Sequence, residues 1–243
     1  MLHWFQSRES ARQALREQPF PEAYRGYLHA RAPFYAKLPD VLRARLEEFV
    51  KIFVAEKTFI GAGGLTMTDE IKVVVAASAV RLVLKLALDR FDRLSEIVVY
   101  PDAYRRPDEQ PVYLGEAHAW GTVVLSWASV LEGLKFEHDG HDTTLHEMAH
   151  VLDRADGNFN GAPALRARGD YRPWALAMSD HYARLKQNAR PENQVLDGYA
   201  ATNEAEFFAV ATETFFERPE AMQRLLPDLY HELSRFYGWH GTE

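Results

Sequence analysis

Apolar residues recur at helical spacing along most of the chain, and two short runs rich in β-branched residues break that pattern. The first fifty-odd residues read as charged helices, broken at Phe20-Pro21 and Ala32-Pro33, with an apolar helical stripe from Leu38 to Val54. Residues 1–50 are therefore expected to form a helical packing or covering segment. Thr58-Phe59-Ile60 runs into the tight turn Gly61-Ala62-Gly63-Gly64, which lacks the lysine and glycine spacing of a phosphate-cradling loop. Thr68 is a good N-cap, and with Asp69 and Glu70 in the first turn it predicts a long helix to about Leu88. Glu96–Tyr100, closed by Pro101, and Thr122–Trp127 read as strands, joined by a polar, proline-containing connection. An apolar helix around residues 143–152 follows, with Asp156-Gly157 as its stop and loop chemistry from Asn158 to Pro163. Another helix begins near Thr202, and helices continue towards the C-terminus. The pattern predicts an α+β fold, mainly helical, with a small sheet; no repeat or low-complexity linker divides it, so 1–243 is read as a single domain.

Composition narrows the function classes. A chain of 243 residues with 47% hydrophobic content can bury its own core. Having no cysteine, it can form neither disulfides nor thiolate metal sites, and any metal must be held by histidine and carboxylate. The N-terminus shows no basic segment followed by an apolar one, and Lys72, Arg81 and Lys85 interrupt the apolar stretch Ile71 to Leu88, so the expectation is a cytoplasmic protein without a membrane span. A net charge of −7 and no basic cluster argue against direct nucleic-acid binding.

The most informative residues are His146-Glu147-Met148-Ala149-His150. On a helix, side chains four apart share a face, so His146 and His150 can converge on one ion, and the geometry suits zinc. Glu147 projects about a quarter turn away, where it can take a proton from water attacking a peptide carbonyl. Thr144, Leu145, Val151 and Leu152 place the motif on a buried helix, and buried imidazoles need partners.

Catalytic zinc usually takes three protein ligands, leaving one position open. Asp156, six residues past His150, is one candidate, but the turn glycine of the extended metzincin pattern is replaced by Asp153. A better one is Glu206, on a downstream helix apolar nearly all round, where Glu206 and Glu213 share a stripe with only Ala209 and Val210 between them. Glu206 could instead close a capping box with Asn203. Glu204 points to the other side; Glu213 suits a supporting or helix-end salt-bridge role; Asp153 could orient a liganding imidazole or be a solvated surface residue. Tyr199, seven residues before Glu206, could donate a hydrogen bond to an oxyanion or simply pack.

The runs H-E-M-A-H-V-L-D, D-G-x-x-N-G-A-P-A-L and G-Y-A-A-T-N-E-A-E-F-F-A-V-A-T-E-T-F-F, with F-I-G-A-G-G-L-T-M-T-D-E-I, V-V-Y-P and G-x-V-V-L-S-W, resemble the Mlc titration factor A family of bacterial zinc peptidases over roughly Phe49 to Pro219. That resemblance implies a zincin-like fold of the gluzincin kind, related to the catalytic domain of anthrax lethal factor. It further implies one Zn2+ held by His146, His150 and Glu206, Glu147 as general base, and an assisting Tyr199. It also implies peptide or protein substrates, aminopeptidase-like activity, and a transcriptional repressor as a possible partner, though the first fifty residues match less clearly. Hydrolysis by a zinc-activated water is then the expected chemistry, with the peptide lying along a strand such as Val123 to Trp127. The competing expectation is a regulator-binding protein whose peptidase activity is gated or vestigial.

Overall fold

Prolines divide the N-terminal region into helices: α1 (Leu2–Glu17), α2 (Glu22–Arg31) preceded by Pro21, α3 (Pro33–Lys37) with its proline in the first turn, and α4 (Asp40–Glu56) preceded by Pro39. Proline fits there because the first helical turn has no N–H partner to lose. The computed structural model describes residues 2–104, 114–118, 121–157 and 159–239. Among these, α2 and α4 pack on helix α5 (Asp69–Arg81), whose N-cap Thr68 accepts from Ile71 N and whose residues from Val73 to Val80 are all buried.

Helix α5 stops at Arg81, short of the expected Leu88. Beyond it the amides of Val83 and Leu86 bond to carbonyls three residues back, and Arg45 takes up the Leu86 carbonyl. The consecutive residues Leu82, Val83 and Leu84 are all fully buried, a demand that a tightening turn meets on every side. Trp127 likewise leaves its expected strand. Ser126 caps it into the next helix by accepting from Ser129 N.

The sheet is mixed and has four strands: β1 (Thr58–Gly61), β2 (Glu96–Tyr100), β3 (Gly115–His118) and β4 (Thr122–Ser126) in the order β1-β2-β4-β3. β1 and β4 each run parallel to β2, and β3 runs antiparallel to β4 with Gly115 opposite Leu125. β4 is thus paired on both sides, so a peptide cannot add to it as expected; among the described residues the outer strands are β1 and, beyond β4, β3. The remaining helices are α6 (Trp127–Lys135), α7 (Thr143–Asp153), α8 (Tyr171–Lys186), α9 (Glu192–Val195), α10 (Glu204–Glu217), α11 (Pro219–Leu225) and α12 (Pro227–Tyr237). Helix α7 packs between α10 on one side and β3, β4 and α5 on the other, which places the H-E-x-x-H residues at the centre. The fold is α+β and mainly helical, and no helix among the described residues is long and apolar enough to cross a membrane.

Candidate active site

Helix α7 begins at Asp142, whose Oδ1 accepts from Thr144 N and Leu145 N. Four residues on, His146 and His150 project from one face, their rings nearly perpendicular at 85° with centroids 4.8 Å apart. Helix α10 faces them. Its N-cap is Asn203, whose Oδ1 accepts from Glu206 N at 3.0 Å. Only that half of the capping box forms: the Glu206 carboxylate turns to the imidazoles, with Oε2 at 3.0 Å from His146 Nε2 and 3.2 Å from His150 Nε2. The two Nε2 atoms stand 3.2 Å apart. Edges of this length are close to the roughly 3.3 Å expected between tetrahedral ligands about 2.0–2.1 Å from zinc. These three residues are the group among the described residues that could hold a metal ion.

Glu213, two turns along α10, secures the arrangement. Its Oε1 lies 2.6 Å from His146 Nδ1, and because a carboxylate only accepts, Nδ1 carries a proton and Nε2 is the nitrogen turned to Glu206 and His150. Its Oε2 accepts from Asp142 N at 2.8 Å, fastening the same carboxylate to the start of α7. Asp153 is fully buried and accepts from Gly161 N at 3.0 Å, anchoring the loop beyond α7. It is therefore not a solvated surface residue. Glu204 is exposed, and the side chain of Asp156 lies outside the described residues, as does Asn158.

The electrostatics of the site favour positive charge at its centre. Burial pushes the Glu206 carboxyl up, but hydrogen bonds from His146 and His150 outweigh it and hold the group down at about 2. Burial likewise pushes His146 down, and Glu206 and Glu213 outweigh that, raising it well above its ordinary value. The two carboxylates thus favour positive charge between them, which a divalent cation would supply. His150 is pushed down by burial, which favours the neutral, ligating form. Two imidazoles and one carboxylate make a donor set that fits zinc and leaves a coordination position open.

Glu147 is buried, and burial, reinforced by Glu206, Glu213 and Glu116 against the opposing His146, lifts its carboxyl to about 8. A carboxylate so poised can exchange a proton near neutral pH. It lines a cleft of about 580 Å³ together with Leu114, Gly115, Thr143, His146 and Tyr199. Tyr199, in the 3₁₀ turn Gly198–Ala201, is 55% exposed with its ring centroid 6.0 Å from that of His146. On the other flank Phe159 lies 5.1 Å from the His150 ring and carries Arg154 at 4.0 Å over its own face. Phe159 and Gly115 escaped the reading of the sequence, because neither carries donor chemistry.

The sequence profile of the glucose-regulated metallo-peptidase M90 family matches residues 4–238. The chain is 38% identical to the protein slr2042 of Synechocystis sp., over 97% of this chain and 89% of that protein. It is 30% identical to the Mlc titration factor A of Edwardsiella ictaluri, over 90% of this chain and 86% of the relative, and 28% identical to that of Yersinia pestis, over 84% and 80%.

Proposed function

This chain belongs to the glucose-regulated metallo-peptidase M90 family, and from that premise we propose that it is a cytoplasmic, zinc-dependent, aminopeptidase-like peptidase. The observation that carries the proposal is the convergence of His146 Nε2, His150 Nε2 and Glu206 Oε2 beside a cleft holding the buried Glu147. In this reading 1–243 is one peptidase domain, with residues 1–50 packed as helical cover on the α5 side.

His146, His150 and Glu206 would hold the ion. When bound, zinc lowers the pKa of a coordinated water towards about 7 and polarises the scissile carbonyl. Glu147, buried at the wall of the cleft beside the three residues, takes the proton from the attacking water and delivers it to the leaving amine. The phenol of Tyr199, at the mouth of the same cleft, donates a hydrogen bond to the oxyanion. Glu213 keeps the His146 ring in the liganding tautomer. The outer strand β3, next to Glu147, offers its backbone to an extended peptide.

The test is cleavage of a diverse peptide mixture read by mass spectrometry. Cuts should appear with the zinc-loaded wild type and vanish in Glu147→Gln, which keeps its zinc, whereas Glu206→Ala should lose the metal itself. Tight zinc binding by Glu206→Ala would overturn the ligand assignment. A second reading draws on the name Mlc titration factor A carried by the Edwardsiella and Yersinia relatives: the chain binds a transcriptional repressor, with its peptidase activity gated. Zinc bound in both proteins with no cuts in either would favour it.

A further inference from the structure

Gly115 lies where β3 passes alongside the start of α7. It is not among the glycines with a positive φ, so its backbone conformation does not call for glycine. Space does. A Cβ at this position would stand 2.7 Å from Glu147 Cγ, 2.9 Å from Glu147 Oε1 and 2.8 Å from Thr143 Cγ2, all below the 3.0 Å that real Cβ contacts respect. Gly115 opens β3, and its lack of a side chain there lets another group approach the strand closely. Here those groups are the carboxyl arm of Glu147 and the methyl of Thr143, and the longer Glu147 arm is the more yielding: it can rotate away from an added methyl, whereas β3 is pinned to β4 and by the bond from Ser126 N to Leu114 O.

We propose that Gly115 is a positioning residue for the reaction: the bare backbone of β3 forms the seat that fixes where the Glu147 carboxylate sits relative to the His146, His150 and Glu206 group. This rests on the reading of Glu147 as general base. Filling the seat presses on Glu147 and on the neighbouring Thr143 methyl but touches none of His146, His150 and Glu206, so of the proposed site groups it is the base that moves. Proton transfer is sensitive to such a shift, since a misplacement of about 1 Å can cost on the order of 100-fold in rate.

The experiment compares zinc-loaded wild type, Gly115→Ala and Glu147→Gln in cleavage of one peptide found in the mixture, together with zinc affinity by chelator competition and a crystal structure of Gly115→Ala. The expected result for Gly115→Ala is a kcat loss approaching 100-fold with KM within about twofold of wild type. Zinc affinity should be unchanged and the Glu147 carboxylate visibly displaced. A raised KM with kcat retained would mean that the methyl obstructs substrate instead, and would overturn the proposal. So would an undisturbed Glu147 in the crystal, or an unfolded variant, because then the strand and not the carboxylate gives way. If Glu147→Gln is inactive and Gly115→Ala is fully active, this inference alone fails. If Glu147→Gln cleaves as well as wild type, the reading of Glu147 fails and takes the role of Gly115 with it.

Discussion

Glu213 lies behind His146, yet it governs the ring proposed to ligate. Its Oε1 at 2.6 Å from His146 Nδ1 fixes the tautomer, and its Oε2 on Asp142 N fixes the helix that carries the ring. Removing the carboxylate frees the imidazole to rotate and to place its proton on the wrong nitrogen. Glu213→Ala is therefore expected to weaken zinc binding by about 10–100-fold. Competition against a chromophoric chelator measures this directly, and an affinity equal to wild type would show that His146 is held by its packing alone. Glu213→Gln should fall between the two, because an amide oxygen can still accept from Nδ1 but the amide nitrogen cannot accept from Asp142 N.

At the scale of elements, the start of α7 decides how firmly the motif is presented. Asp142 is buried, and burial, against the pull of Arg81 and the bond from Leu145 N, lifts its carboxyl to about 7. The capping oxygen therefore does not depend on full ionisation at neutral pH. Asp142→Asn should retain most of the stability, while Asp142→Ala, which abandons Thr144 N and Leu145 N, should cost about 1–2 kcal/mol in thermal or urea melts. Equal losses in both variants would mean that the charge and not the cap is what matters. Caps and the four-residue histidine spacing are local features, which is why α7, the N-cap Thr68 and the start of α10 at Asn203 were legible in the sequence. The outer strand β3 was not. Gly115-Glu116-Ala117-His118 contains no β-branched residue, and it is a strand because β4 pairs with it. The end of α5 at Arg81 was hidden for a similar reason, since tertiary burial of Leu82, Val83 and Leu84 overrides a helical pattern that runs on to Leu88. Glu206 could be singled out from its apolar helix, but its choice over a capping role depended on where α7 lies, and that distance is written only in the fold.

Across the whole molecule, the N-terminal helix is fastened by charge. Arg12 bonds both oxygens of Glu56, at 2.6 and 2.8 Å, and reaches Asp92 at 2.8 Å, with Arg8 joining the same two carboxylates. α1 is thereby tied to the end of α4 and to the chain just before β2, well apart in sequence. Burial pushes the Glu56 carboxyl up, but the bonds from Arg12 and Arg8 outweigh it and bring the group from 4.5 down to about 2. A carboxyl whose pKa is lower in the folded than in the unfolded chain stabilises the fold in full above about 4.5 and ceases to do so as the pH falls towards 2. The side chain is only 17% exposed, so the shift corresponds to an upper bound of about 3 kcal/mol. Glu56→Gln is accordingly expected to be less stable than wild type at pH 7, with the gap closing as the pH is lowered through that window. Urea melts of the two proteins at a series of pH values would measure it. A gap that stays constant down to pH 2 would place the loss in packing or in stranded arginines, and would mean that the pairing of Glu56 with Arg8 and Arg12 is not what holds the N-terminal helix to the body of the protein.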